Sequence, residues 1–219
     1  MIVAIDGPAG VGKSTVAKLL ASRLGFLYLD TGALYRSVGL AVLHHGIQPH
    51  DETAVGRLLP KLSLKIEVAN HTVHVSLNGR DVTGELRTPA VSAAASIVSA
   101  IPEVRAWLLP IQRQIGQKGS VVAEGRDVGT KVFPAAPVKF FLEADPTVRA
   151  DRRHRELVAA GHSRAIEQTS AELAGRDNRD RSRSAAPLVA ADDAHHIDTS
   201  RLSAEEVVER MLAVVTAKL

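Results

Sequence analysis

Short apolar runs alternate along this chain with stretches in which apolar residues recur every three or four positions. Ile2–Ile5, Phe26–Leu29, Val121–Ala123, Val138–Leu142 and Ala194–Ile197 read as five buried strands. Between them lie helical patterns. The first covers 14–24, with Val16, Ala17, Leu19 and Leu20 on one side and Gly25 at its end. The second is entered through Asp30-Thr31-Gly32, carries Ala33 to about His45 with Leu34, Val38 and Val42 inward, and closes at Gly46. Asp51 caps a short helix over 52–59. Thr88 as cap and Pro89 at the first position start an alanine-rich helix to Ala100. Pro102 starts another, with Trp107, Leu108, Ile111 and Ile115, which Pro110 is expected to kink or divide. Asp145-Pro146 opens a charged helix to about Ala160. Residues 162–183 read as helical around Ile166–Leu173 and then almost wholly polar. Ser203 and Glu206 form a capping box for an amphipathic terminal helix. Five short apolar strands separated by helices predict an α/β fold, a five-stranded parallel sheet covered on both faces.

One segment breaks the rhythm. Leu64, Ile66 and Val68 alternate with Lys65 and Glu67, and the period of two resumes after Asn70 with Val73, Val75 and Leu77. Asn78-Gly79 is a hairpin turn signal, followed by a brief strand over Arg80–Thr83. A small antiparallel insert is expected at about 62–87.

The first strand runs into Gly7-Pro8-Ala9-Gly10-Val11-Gly12-Lys13-Ser14-Thr15, a full match to G-x-x-x-x-G-K-[ST] in strand–loop–helix context. Glycines let successive N–H groups turn inward into an anion nest, and the helix start adds its unpaired N–H groups and dipole. Lys13 can reach the β- and γ-phosphates, and Ser14 offers a hydroxyl to Mg²⁺. Lys13 is expected at a solvent-facing anion site and outside the core. The residue pattern therefore predicts binding of a nucleoside triphosphate.

Composition narrows the choice. The 219 residues are 45% hydrophobic, enough for a core, and include no Cys, which removes disulfides and thiolate chemistry. No apolar run approaches a membrane span, and Asp6 with the glycine loop interrupts any leader-like pattern, so no membrane association and a cytoplasmic location are expected. A net charge of +3 does not predict a nucleic-acid partner. Nine arginines nevertheless lie between Arg149 and Arg183, interleaved with six acidic residues. An N-K-x-D guanine signature is absent, which disfavours a GTPase. None of the nine His shows metal-ligand spacing, and the only metal expected is Mg²⁺ carried by ATP.

Several blocks resemble one family closely: the bacterial cytidylate (CMP/dCMP) kinases, which are P-loop nucleoside-monophosphate kinases. They are the glycine loop, Leu29-Asp30-Thr31-Gly32-Ala33-Leu34-Tyr35-Arg36, Val82-Thr83-Gly84-Glu85-Leu86-Arg87-Thr88, and Pro102-Glu103-Val104-Arg105. Glu124-Gly125-Arg126-Asp127-Val128-Gly129-Thr130, Val132-Phe133-Pro134 and Arg176-Asp177-Asn178-Arg179-Asp180-Arg181-Ser182-Arg183 complete the set and are the specific ones. The resemblance implies a P-loop kinase fold in one domain. Its core would comprise 1–30, 88–148 and 184–219. Residues 31–87, with the β insert, would form a monophosphate-binding region, and 149–183 a lid with an arginine-rich segment.

It also implies transfer of the γ-phosphoryl group of ATP to CMP or dCMP by a monomer. Gly7, Pro8, Ala9, Gly10, Val11, Gly12, Lys13, Ser14 and Thr15 would hold ATP, with Arg152 or Arg153 facing the donor. Thr31, Tyr35 and Arg36 would hold the acceptor phosphate, and Ser96 would meet the cytosine edge. Arg105, Arg126 and Asp127 would line the same pocket, Asp127 near the sugar. Arg176, Asp180 and Arg183 would come from the arginine-rich segment, Asp180 toward sugar and Arg183 toward phosphate. Lys13, Arg126, Asp127, Arg153 and Arg183 are the expected catalytic set.

The residues themselves leave alternatives open. Asp30 reads as helix cap, acceptor residue or both, and Asp6 as an orienter of the loop and of magnesium waters. Arg149, Arg155, Arg164 and Arg179 read as solvated or ion-paired helix residues, and Ser92 as a small packing residue. A kinase preferring UMP, a nucleotide-switched binding protein, and a nucleic-acid module built on Arg176–Arg183 are the competing readings.

Overall fold

The computed structural model describes residues 1–69 and 72–219; Asn70, where the alternation is expected to break, and His71, expected to be solvated, lie outside them. In chain order the elements are β1 (Ile2–Asp6), α1 (Lys13–Leu24), β2 (Leu27–Asp30), α2 (Thr31–His44), α3 (Glu52–Leu58), β3 (Leu64–Ala69), β4 (Thr72–Leu77) and β5 (Arg80–Asp81). There follow α4 (Pro89–Val98), α5 (Pro102–Gly116), β6 (Val121–Gly125), β7 (Val138–Glu143), α6 (Pro146–Ala159), α7 (Ile166–Ser182), β8 (His195–Asp198) and α8 (Ala204–Thr216).

The expected α/β architecture is present. A five-stranded parallel sheet has the order β2-β6-β1-β7-β8, and a separate antiparallel sheet has the order β3-β4-β5. Its hairpin pairs Leu64 with Leu77 and Ile66 with Val75, the register that Asn78-Gly79 sets, with Asn78 at φ 52° and Gly79 at φ 82°. Among the described residues no single helix is long and apolar enough to cross a membrane.

The chain divides into two compact units, one of 1–25 with 122–219 and one of 26–121. In the first, β7 pairs with β1 through Val3–Val138 and Ile5–Phe140, and with β8 through Phe140–His195 and Leu142–Ile197. Val3, Ile5, Phe140 and Leu142 are almost wholly buried, as continuous apolar strands require. Helices α1 and α8 pack together, as do α6 and α7. The capping box at Ser203 and Glu206 is formed in both directions. In the second unit α2 and α4 pack face to face over a core that includes Leu34, Val38, Val42, Val91, Ala95, Val98 and Leu108. The stretch 88–121, expected with the core, groups here with the insert.

Two expectations are corrected, one is narrowed, and one element is new. The strand over Arg80–Thr83 ends at Asp81, because the Asp81 carboxylate accepts the Thr83 N–H at 2.8 Å and turns the chain into a 3₁₀ turn, Thr83–Glu85. Pro110 does not divide its helix: α5 is continuous from Pro102 to Gly116. Pro110 and Ala106, whose carbonyl loses its N–H partner, are both exposed, so water can satisfy that oxygen. Helix α7 runs on through the polar stretch to Ser182, because Asp177 and Asp180 point into the unit and are buried. Finally, Val128–Val132 forms a π turn that no periodicity foretold.

Gly39 shows how close α2 and α4 lie: a Cβ there would sit 2.9 Å from the Ala95 backbone nitrogen. Gly56 in α3 has nothing within 4 Å of that position. Gly39→Val is therefore expected to destabilise by about 1–3 kcal/mol through overpacking. Gly56→Ala should stabilise by about 0.4–1 kcal/mol through helix propensity and a less flexible unfolded chain. Urea unfolding of both variants checks the pair of opposite signs.

Candidate active site

The glycine loop leaves β1 at Asp6 and enters α1 at Lys13. Gly7 has φ 151°, and a Cβ there would overlap the Leu142 carbonyl of β7. Gly12 caps α1 at φ 95° with no side-chain cap, and the first turn has no acidic residue. The helix start therefore keeps its positive end uncompensated by side chains, which suits a bound anion. The expected nest, with Ser14 half-buried at the helix start, is thus compatible with a triphosphate and its cation.

Lys13 is not solvent-facing: it is 6% exposed, and its Nζ donates to the Pro8 carbonyl at 2.6 Å. Burial, reinforced by the charges of Arg126 and Arg176, holds its pKa well below the usual lysine value, against the pull of Glu124 and Asp6. The loop thus folds its own cation inward over its backbone.

Two carbonyls and an N–H of the loop are held from behind. The Ala9 N–H donates to Asp177 Oδ1 at 3.3 Å, and the Ala9 carbonyl accepts from Arg149 Nη1 at 3.0 Å. Arg149 and Asp177 also form an ion pair with each other. The Val11 carbonyl accepts from the Thr199 hydroxyl at 3.1 Å, and Arg152 in turn donates to the Thr199 hydroxyl and carbonyl at 3.0 and 2.7 Å. Arg149 is therefore ion-paired but buried, not solvated, whereas Arg155 and Arg179 are exposed and Arg164 pairs with Glu172. Arg153 pairs with Glu156 on its own helix at 3.0 Å.

A second cluster in the same unit joins four of the expected residues. Arg126 Nε donates to Asp180 Oδ2 at 2.8 Å. Arg183 lies 3.6 Å from Asp127 Oδ1 and 3.8 Å from Asp180 Oδ1, and its Nε donates to the Ala186 carbonyl. Burial pushes the Asp180 carboxyl up, but the Arg126, Arg176 and Arg183 charges outweigh it and hold the pKa below the ordinary value. Arg176 thus belongs to this field.

Unit two carries its own set. Asp30 caps α2 by accepting the Ala33 N–H at 3.1 Å, as the cap reading expects, and also pairs with Arg36 at 2.5 Å and Arg87 at 3.6 Å. Burial raises its pKa, and the two arginines more than reverse that. Thr31, Tyr35 and Ser96 are buried. Arg105 places its guanidinium carbon over the Tyr35 ring, 5.3 Å from its centre, and donates to the Ser99 carbonyl at 3.0 Å. Residue-level reading missed Asp177, Thr199, Arg149 and Arg87 as site neighbours. Asp177 and Arg87 lay inside matched blocks, but nothing in the spacing tied Arg149 or Thr199 to the loop.

Asp6 anchors the end of β1. Its two oxygens accept the Val128 and Gly129 N–H groups at 2.9 and 2.7 Å. Burial nonetheless raises its pKa to about 6, with those N–H bonds opposing. Between about pH 4 and pH 6 the folded chain keeps a proton here that the unfolded chain has released, so this group's contribution to stability falls as pH rises through that window. The stability of the parent minus that of Asp6→Asn should accordingly fall by up to about 3 kcal/mol across it and level off above. Denaturant titrations at several pH values measure this difference, and a difference independent of pH contradicts the assignment.

The sequence model of the cytidylate kinase family matches residues 3–217. A cytidylate kinase of Carboxydothermus hydrogenoformans is 49% identical over 218 residues, covering 100% of this chain and 98% of the relative. One from Geobacter sulfurreducens is 48% identical over 215 residues, covering 98% and 92%. Among solved structures, an uncharacterised protein from Eubacterium ventriosum superposes with a TM-score of 0.56 at 12% identity, covering 99% of this chain and 98% of its own, a likeness of fold. A family match over nearly the whole length, on a chain that builds the phosphate loop and its parallel sheet, settles the class: this chain belongs to the cytidylate kinase family and is a P-loop nucleoside-monophosphate kinase.

Proposed function

We propose that the chain transfers the γ-phosphoryl group of ATP to CMP or dCMP. The observation that carries this reading is the convergence of cations in unit one, where Lys13 of the phosphate loop lies in the field of Arg126 and Arg176. A hydrolase needs to neutralise one polyphosphate, whereas joining two phosphorylated nucleotides requires cations for both. Arginine suits that task because its fork is bidentate and stays protonated. The acceptor is already an ionised phosphate oxygen, so no catalytic base is required, and positioning and electrostatics supply the rate.

In this reading the loop N–H groups and Lys13 hold the donor phosphates, and Ser14 holds the magnesium ion. A magnesium ion held at the Ser14 hydroxyl would offset charge on the donor phosphates. Arg126 and Arg183 balance charge on the transferring group, with Asp180 and Asp127 keeping both guanidinium groups in place. In unit two, Thr31, Tyr35 and Arg36 are assigned to the acceptor phosphate, and Ser96 and Arg105 to the cytosine ring. Cytosine offers N4–H₂ as a donor and N3 as an acceptor, so its pocket needs one acceptor and one donor. The Ser96 hydroxyl can accept, while Arg105 only donates.

An acceptor panel of CMP, dCMP, UMP and AMP with ATP and Mg²⁺ is expected to favour the cytidine nucleotides, and a preference for UMP or AMP overturns the reading. ATP turnover without any phosphorylated acceptor would instead indicate a nucleotide switch. Lys13→Met should lower turnover roughly a hundredfold or more. The melting temperature should hold, because the change removes a desolvated charge and keeps the apolar stem. Ser96→Ala should cost CMP use about 1–3 kcal/mol in kcat/KM and UMP use much less. Arg36→Ala should weaken every monophosphate alike. Equal losses for CMP and UMP in Ser96→Ala contradict the assignment of base reading to that hydroxyl.

A further inference from the structure

We infer that Arg149 and Asp177 are positioning residues of the donor loop, acting on the orientation of its peptide groups and through them on ATP. Both side chains are buried, at 8% and 6% exposure, and they come from different helices, α6 and α7. Each has one hand on the other and one on Ala9. Arg149 Nη1 serves the Asp177 carboxylate and the Ala9 carbonyl together, while its Nε donates to the Ala144 carbonyl at 3.2 Å. Asp177 Oδ1 accepts the Ala9 N–H.

The consequence follows from peptide geometry. In a trans peptide the C=O and the next N–H point in opposite directions. Holding the Ala9 carbonyl against Arg149 therefore turns the Gly10 N–H away from Arg149. Thr199 does the same for the Val11 carbonyl and the Gly12 N–H. The Pro8–Ala9 unit is held at both ends, its carbonyl by Lys13 and its N–H by Asp177. At Gly10 the fit is close, since a Cβ would lie 2.9 Å from the Arg149 carbonyl, so α6 presses directly on the loop. Gly10 has φ 74° and no side chain of its own to restrain it. The guanidinium behind it supplies that restraint.

An ion pair that merely stabilised the fold would not need its fork on the loop backbone. The two roles separate in Arg149→Met/Asp177→Asn. This double variant leaves no buried charge unpaired, and Asn still offers an oxygen to the Ala9 N–H, so the tether lost is the one on the Ala9 carbonyl. Binding of a fluorescent ATP analogue with Mg²⁺, measured without acceptor, is expected to weaken about tenfold. The expected kinetic split is a raised KM for ATP and a lowered kcat, with the acceptor KM within about twofold of the parent value. Arg149→Lys keeps the ion pair but cannot span Ala144, Asp177 and Ala9 at once. It should melt like the parent and bind the analogue about threefold more weakly. Either variant with parent-like melting and parent-like analogue affinity overturns the inference. Because the binding arm contains no acceptor, a wrong assignment of CMP would show in the acceptor panel and leave this result intact.

Discussion

A loop that offers its N–H groups to an anion must find other partners for its carbonyls, and this constraint organises much of unit one. Backbone polar groups withdrawn from water are costly unless paired. Here Lys13 takes the Pro8 oxygen, Arg149 the Ala9 oxygen and Thr199 the Val11 oxygen. Those three partners come from α1, α6 and the turn after β8. The parallel sheet is what brings them together, since β7 pairs with β1 and β8 with β7, and the two strands deliver α6 and Thr199 to the same end. The Thr199 N–H also pairs with the Glu143 carbonyl at 2.8 Å, which fixes the turn to the end of β7.

Charge is handled by the same economy of partners. Arg149–Asp177 is a buried pair and Arg126–Asp180 a largely buried one; Asp177 also accepts the Ala9 N–H, Arg126 also donates to the Gly125 carbonyl, and Arg183 adds a second positive charge near Asp180. Pairing of this kind offsets desolvation without adding much net stability, so its value lies in where it holds the groups. Helix α7 carries Asp177 toward the donor loop and Asp180 toward the Arg126–Arg183 cluster, three residues on. One rigid helix thereby sets the position of two polar networks. Asp6 is the exception in kind: it has N–H partners but weak countercharge, and burial wins.

In unit two the packing is largely apolar, with Thr31 and Ser96 buried beside it. Gly39 lets α2 approach the α4 backbone, which brings the two helices carrying Tyr35 and Ser96 together. Asp30 does double duty as cap and arginine partner at the start of α2. Arg105 lies over the Tyr35 ring and donates to the Ser99 carbonyl, contacts that limit its rotamer freedom.

Local rules were enough to read most elements and the phosphate loop. Alternating apolar runs define the sheet, caps at Thr88 and Ser203 mark helix starts, and the glycine spacing with Lys-Ser admits few other uses. Those features depend on neighbours within a few residues, where steric and hydrogen-bond preferences are decided. The exposure of Lys13, the continuity of α7 and the placing of Arg149 were not legible. Each depends on groups from other elements: Glu124 and Asp6 for Lys13, Arg149 for Asp177, and Ala9 for both. Periodicity marks Asp177 and Asp180 as polar, and polar residues at helical spacing usually face water. Only the tertiary structure decides that these two face inward, because only it brings the opposite charges that make their burial tolerable.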